Sequence, residues 1–164
     1  MLLSLPPRTV FFCLSALSAL AIVFAVVLER QLGLLPCPLC MTQRAFIVLM
    51  GVFALIAALH NPSAWGRRVY GVLCTLAVMA GGAVAARHVW LQYLPKDLVP
   101  ACGPSLEYML ETLPFSETLN IVLMGDGNCA DVVWTLFGFS IPEQTLALFI
   151  VLTIICLWQT LRSR

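Results

Sequence analysis

Four long stretches without a single charged residue dominate this sequence: 9–28, 45–66, 69–86 and 144–161. Each is mostly apolar and supplies close to the ~20 residues that, at about 1.5 Å rise per residue, cross a hydrocarbon core of about 30 Å. Lipid offers the backbone no hydrogen-bond partner, so such runs are expected as helices rather than isolated strands. The composition agrees. Of 164 residues, 61% are hydrophobic and only 10% charged, with a mean hydropathy of +0.97, too little charge to cover a soluble domain. The expected fold class is an all-α membrane protein. It is one integral-membrane domain over 1–164, a bundle of four transmembrane helices with external loops at 29–44 and 87–143.

Charge placement orients the bundle. With four spans, Arg8, Arg67, Arg68, Arg162 and Arg164 share one face, which carries no Asp or Glu. All eight acids fall on the other face, beside Arg30, Arg44, Arg87 and Lys96. The basic face is expected to be cytoplasmic, with both termini inside. A cleaved signal peptide is the rival reading of residues 1–28, because Arg8 precedes an apolar run and Ala19-Leu20-Ala21 resembles a cleavage site. The run continues to Leu28 for a full span, longer than an ordinary signal core, and this favours a retained helix.

Between the spans, 60–68 is expected as a short loop in which Asn61-Pro62 stops the second helix. The stretch 88–143 is the only sizeable non-spanning region, and a segment of that length without a substantial core points to function rather than mere connection. Within it, 104–113 starts with Pro104 and sets Leu106, Met109, Leu110 and Leu113 at helical spacing, and 117–124 adds Leu119, Val122 and Leu123. This segment is expected as a short helix on the membrane surface, or else packed on the span ends.

The seven cysteines divide by place. Cys13, Cys74 and Cys156 lie inside spans and read as small buried hydrophobes. Cys37, Cys40, Cys102 and Cys129 all fall outside, on the non-cytoplasmic face where disulfides persist. Cys37 and Cys40 form a CxxC in "LLPCPLCMTQR", residues 34–44. The second helix is expected to start close to Cys40. Its positive N-terminal end, with Arg44 one turn along, favours a thiolate, the species that attacks disulfides. Pro38 lacks an N–H and suits a first helical turn. Cys102 and Cys129 bracket 26 residues. A bond between them would stabilise the loop by about 3.5 kcal/mol in the loop-closure picture. That pair is therefore either a plain staple or the exchange partner of the CxxC.

Structural zinc is the other reading of four external cysteines, but such sites normally offer two close pairs and here only one is close. No resident metal is expected. Haem attachment needs CxxCH, and position 41 is methionine. No paired-carboxylate, Ser–His–Asp or phosphate-loop pattern occurs, and nothing suggests nucleic acid.

These residues in combination resemble the disulfide bond formation protein B family (DsbB), bacterial inner-membrane thiol:quinone oxidoreductases. The resemblance covers nearly the whole chain: four spans, "CPLCMTQR" at 37–44, "RHVWLQYLP" at 87–95, "PACGP" at 100–104 and "GDGNCADVVWTLFGFSIPEQ" at 125–144. It implies that Cys37 and Cys40 match the quinone-proximal disulfide, with Cys40 facing the ring and Arg44 favouring both quinone and thiolate. Cys102 then matches the cysteine attacked by a periplasmic DsbA-like thiol oxidase, and Cys129 its bonded mate. Electrons are expected to pass from that partner through Cys102–Cys129 and Cys37–Cys40 to ubiquinone or menaquinone. Residues 104–124 match the family's membrane-surface helix. Gln144 departs from the pattern, at a position that often holds tryptophan.

The physical logic runs the same way. A partner as oxidising as DsbA, about −120 mV, needs an acceptor more oxidising than a glutathione pool, and quinone is dissolved in the lipid. Arg44 is expected near the interface, because an arginine at mid-bilayer costs about 2.5–3.5 kcal/mol or more. Arg87 and His88 close the third span. Each has a functional reading, quinone binding for Arg87 and protonation of reduced quinone for His88. The plainer readings are a span-end anchor and a solvated imidazole. Trp90, Tyr93 and Trp134 read as an interfacial aromatic belt. A membrane scaffold whose external disulfides are inert staples is the rival from another class. A vitamin K epoxide reductase-like protein shares the four-helix bundle but carries its CxxC late in the sequence.

Overall fold

The structure, a computed structural model, describes residues 5–33, 36–95, 97–99, 106–125, 127–132 and 134–162; the side chains of Leu106, Glu107, Leu110, Phe115, Leu119 and Leu123 stand outside that description. Among the described residues, four helices are long and apolar enough to cross a membrane: α1 (Pro7–Leu32), α2 (Pro38–His60), α3 (Ala64–Gln92) and α7 (Ile141–Leu161). The protein is a multi-pass, all-α membrane protein.

Local chemistry sets the helix ends. Pro7, Pro38 and Pro142 stand in the first turns of α1, α2 and α7, where a missing N–H costs nothing. Gly33 closes α1 in the left-handed region at φ 61°. Ser140 and Glu143 cap α7 reciprocally, the Ser140 N–H donating to Glu143 Oε2 at 2.7 Å and the Glu143 N–H to Ser140 Oγ at 3.4 Å.

α2 begins at Pro38, close to Cys40 as expected, so the CxxC stands at the helix start. α2 ends at His60, with Asn61 left-handed at φ 46° ahead of Pro62. α3 restarts at Ala64, its Arg67 N–H bonding Ser63 O at 2.9 Å. Arg67 and Arg68 therefore sit in the first two turns of α3 and not in a loop.

The helices pack in the order α1, α2, α3, α7, while α1 and α7 meet only sparsely. Small residues allow close approach, as expected where lipid supplies no hydrophobic drive between helices. A Cβ on Gly51 would lie 2.3 Å from Ser18 Oγ, and that hydroxyl donates to the Ile47 carbonyl at 2.8 Å, locking α1 to α2. Between α3 and α7, Phe149 lies over Gly81, where a Cβ would stand 2.4 Å from the ring. The main core runs through Phe11, Leu14, Met50, Val78 and Leu152. Cys74 and Cys156 are buried within it as expected. Cys13 is exposed on the outer face of α1, contrary to its reading as a buried residue. At the basic end, Arg8 Nε donates to Ala58 O at 3.0 Å and Arg162 Nη1 to Leu5 O at 2.6 Å.

The long connection folds into α4 (Leu106–Thr112), α5 (Phe115–Met124), α6 (Gly127–Ala130) and a two-stranded hairpin, β1 (Thr135–Leu136) with β2 (Phe139–Ser140). The hairpin pairs antiparallel, Thr135 opposite Ser140, around Phe137 and Gly138 at φ 53° and 84°. Positive φ at both turn residues is what a two-residue hairpin turn demands. α5 lies against the start of α2, and α6 against α3. Gly125, at φ 77°, lets the chain pass so close that a Cβ would meet Leu91 Cδ1 at 2.5 Å and Leu39 Cδ1 at 3.1 Å. A second core of Cys37, Leu39, Val84, Leu91 and Cys129 forms where this connection seats on the bundle end.

Candidate functional site

Three elements meet at that second core. Cys37 is the N-cap of α2, extended at φ −74° and ψ 162°, and its sulfur accepts the Cys40 N–H at 3.4 Å. Capping by sulfur directs Cys37 back over its own helix, so Cys37 Sγ and Cys40 Sγ stand 3.1 Å apart. α3 contributes His88 from one side. α6 contributes Cys129, fully buried, from above. The ligand atoms of Cys37, His88 and Cys129 all lie within 4.8 Å of one another. Cys37 is thus flanked by two sulfurs that are remote from each other in sequence. Hydrogen bonds to Cys129 and then to Cys40, with burial adding, push the Cys37 thiol well above its ordinary range.

His88 overturns the reading of a solvated imidazole: it is 3% exposed. Its Nε2 lies 3.1 Å from the Cys129 carbonyl and 3.7 Å from Cys37 Sγ, and its Nδ1 lies 3.0 Å from Gln43 Nε2. Burial of a polar ring is tolerated because both nitrogens have partners. With the Gln43 amide donating to Nδ1, the proton sits on Nε2 and points at the carbonyl of Cys129. Gln43, also 3% exposed, was not singled out from sequence. The available signal was its register. Leu39, Gln43, Ile47, Met50 and Ala54 follow helical spacing on the buried face of α2, and an amide on such a face is a polar residue with a task.

On the other side of Cys40 a cavity of about 290 Å³ opens between α1, α2 and α7, at the place where α1 and α7 part. Ile22, Phe24, Leu28, Ile47 and Leu148 form apolar walls, while Cys40, Gln43, Arg44 and Glu29 gather the polar groups. Arg44 reaches the Glu29 carboxylate with both terminal nitrogens, Nη1 to Oε2 at 2.9 Å and Nη2 to Oε1. This bidentate pair was not expected, and it sets an opposing charge on the arginine that the sequence reading credited with favouring a Cys40 thiolate. Trp134 lines the same cavity rather than serving only in an aromatic belt, and Gln144 stands beside it. Arg87 is elsewhere: it donates to the Met124 carbonyl at 3.3 Å and lies 4.3 Å over the Trp90 ring, holding the end of α5 to α3. Cys102 lies outside the described residues, as does the segment "PACGP" around it.

The family description "Disulfide bond formation protein DsbB" matches residues 7–159. The chain belongs to the DsbB family. It is 54% identical to disulfide bond formation protein B of Saccharophagus degradans over 142 residues, 87% of this chain and 86% of the relative. It is 49% identical to the protein of that name from Stutzerimonas stutzeri over 156 residues, 95% and 96% of the two chains. Disulfide bond formation protein B 1 of Pseudomonas aeruginosa is 49% identical over 145 residues, 88% of each. Membership gives this DsbB-family protein an oxidoreductase role in disulfide bond formation.

Proposed function

We propose that this protein oxidises the dithiol of a periplasmic DsbA-like thiol oxidase and passes the electrons to membrane quinone, ubiquinone or menaquinone, from the bacterial inner membrane. The observation that carries this reading is the position of Cys37 between Cys129 and Cys40, with Cys40 bordering a mostly apolar cavity between α1, α2 and α7. Both termini face the cytoplasm. The supporting observation is that Arg8, Arg67, Arg68 and Arg162 fall at the bundle end remote from the cysteines.

The exchange steps balance as follows. A partner thiolate attacks Cys102 of a Cys102–Cys129 disulfide and Cys129 leaves. The partner's second thiol then attacks its own mixed disulfide, so the partner departs oxidised and Cys102 and Cys129 remain as thiols. The Cys129 thiolate attacks Cys37 of the Cys37–Cys40 disulfide, releasing Cys40 as a thiolate. Cys102 attacks Cys129, which restores the outer disulfide and returns Cys37 to a thiol. His88 holds the Cys129 backbone through its carbonyl, keeping that sulfur within reach of Cys37.

The large cavity suits a lipid-soluble quinone: its walls are apolar and its polar groups converge beside Cys40. When bound, quinone supplies the acceptor for two electrons and two protons. Arg44 and Gln43 are placed to orient polar oxygens there, and Cys40 is the cysteine that borders the space.

The test is quinone reduction by the purified protein, driven by a reduced DsbA-like partner. Catalytic loss of quinone that disappears in Cys40→Ser is the expected result. Disulfides that stay inert toward the partner, with no turnover, would leave a stapled scaffold and refute the reading.

A further inference from the structure

Disulfide exchange requires sulfurs in reach of one another, and it does not require an imidazole nitrogen at the same point. Yet His88 Nε2 joins Cys37 Sγ and Cys129 Sγ in one buried cluster with all three atoms within 4.8 Å. Cys40 Sγ stands outside that three-residue group but only 3.1 Å from Cys37 Sγ, and it becomes a fourth donor by turning toward the other three. In a tetrahedral zinc site, bonds of about 2.3 Å to sulfur and 2.0–2.1 Å to nitrogen put neighbouring ligand atoms roughly 3.5–3.8 Å apart. The 3.7 Å between Cys37 Sγ and His88 Nε2 already matches that spacing, and the CxxC sulfurs, now 3.1 Å apart, need to part by roughly 0.6–0.7 Å.

We propose that the fully reduced centre is a redox-gated zinc site, in which the thiolates of Cys37, Cys40 and Cys129 and Nε2 of His88 hold one Zn²⁺. This is not a resident structural zinc. It exists only while the sulfurs are thiols, because a Cys37–Cys40 disulfide removes two of the four donors. Zinc stays divalent and no electron moves, and each thiol that enters the coordination shell releases its proton to water. A route in exists. A small cavity of about 50 Å³ is lined by Cys37, Cys40 and His88, with the exposed Asn128 and Asp131 also on its wall, and the Asp131 carboxylate favours an approaching cation.

Gln43 makes the imidazole compatible with both states. In the thiol state its amide nitrogen faces Nδ1 at 3.0 Å and the ring proton on Nε2 meets the Cys129 carbonyl. Zinc needs the lone pair of Nε2, hence a proton on Nδ1 and an acceptor beyond it. Half a turn of the Gln43 amide presents its oxygen instead, since an amide carries donor and acceptor at nearly the same place. The result is the hydrogen-bonded histidine that metal sites regularly use. Metal capture requires thiols and His88 alone, not the route to quinone, so it stands or falls separately from the proposed oxidase activity.

The experiment is a Co²⁺ titration of untagged, full-length protein in detergent, fully reduced and freed of reductant, followed by Zn²⁺ displacement. The expected result is one equivalent of Co²⁺ with the visible absorption of tetrahedral thiolate coordination, bleached by Zn²⁺ and absent from the oxidised protein. Gln43→Leu should weaken binding by about 10- to 100-fold, and Gln43→Glu, whose carboxylate only accepts, should strengthen it. No stoichiometric thiolate–cobalt spectrum in the reduced protein overturns the proposal. So does a spectrum unchanged by both His88→Ala and Cys129→Ser, which would assign the metal to the CxxC alone. Should either of those variants fail to fold, the opposed shifts of the two Gln43 variants decide: equal affinity in both overturns the site.

Discussion

Replacing Gln43 with leucine tests whether the buried amide holds the relay in register. Leucine nearly conserves volume, so the change removes one hydrogen bond, the 3.0 Å contact to His88 Nδ1, without opening a large cavity. With His88 only 3% exposed, water does not replace the lost partner, and an unsatisfied buried polar group costs about 1–3 kcal/mol. The ring recovers part of that by rotating or changing tautomer, and either movement loosens its contact with the Cys129 carbonyl. If the cost falls on the exchange transition state, at tenfold per ~1.36 kcal/mol the step slows by roughly 5- to 150-fold. The assay is a single turnover: Cys102 and Cys129 are reduced by partner, and passage of electrons to the CxxC is followed by rapid thiol trapping. Steady-state rates are unsuitable, since quinone exchange can mask the step. A correctly folded Gln43→Leu protein that transfers electrons from Cys129 to Cys37 at the unaltered rate would refute the positioning role.

Other outcomes follow from the same geometry. Arg44→Met should raise the KM for quinone about tenfold or more, the scale of a charged hydrogen bond, while the KM for the protein partner stays constant; equal changes in both would remove Arg44 from the cavity's function. Gly81→Leu forces side-chain atoms into the Phe149 ring and should lower stability by about 1–3 kcal/mol. Gly82→Ala is the contrast, because its Cβ meets Phe149 at an ordinary 3.5 Å. Thermal unfolding in detergent separates the two, and equal melting temperatures would contradict the packing. Tyr93 donates to Glu143 at 2.6 Å, and that carboxylate raises the phenol above its usual value of 10.0. A raised folded value means that the contribution is intact below pH ~10 and is lost as pH climbs through the folded value. Tyr93→Phe should therefore flatten the alkaline fall in melting temperature, and an unchanged slope would exclude the contact.

Much of the fold was legible because membrane spans are written in composition: 9–28 and 69–86 sit inside α1 and α3, and proline or glycine marks most ends. The CxxC with Arg44 was equally plain, being local. What was hidden depended on contacts between distant segments. Nothing near Glu29 announces that α1 delivers it to Arg44, and His88 looks like any span-end histidine until α6 buries it. Hairpin 135–140 escaped because strands of two residues carry no periodic signal, and its turn residue Phe137 takes a left-handed φ of 53° that its side chain disfavours. Trp134 was assigned to the interface by type, whereas the structure also sets it in the lining of the cavity that Cys40 borders.

The inner cysteines show why a relay of this kind is also exposed to soft cations. Exchange demands that Cys129 approach Cys37 and that Cys37 approach Cys40, and sulfurs close enough to exchange are close enough to share a metal. A relay protects itself by remaining oxidised, since two sulfurs joined to each other cannot ligate as thiolates. Its vulnerable interval begins when the partner reduces Cys102–Cys129 again while Cys37 and Cys40 still hold electrons, and it ends when the acceptor removes them. Zinc capture should thus scale with the time spent reduced: scarce quinone should sharpen it and abundant quinone suppress it, with no change in intrinsic affinity. An inhibition by Zn²⁺ that ignored quinone supply would place the metal outside this cluster.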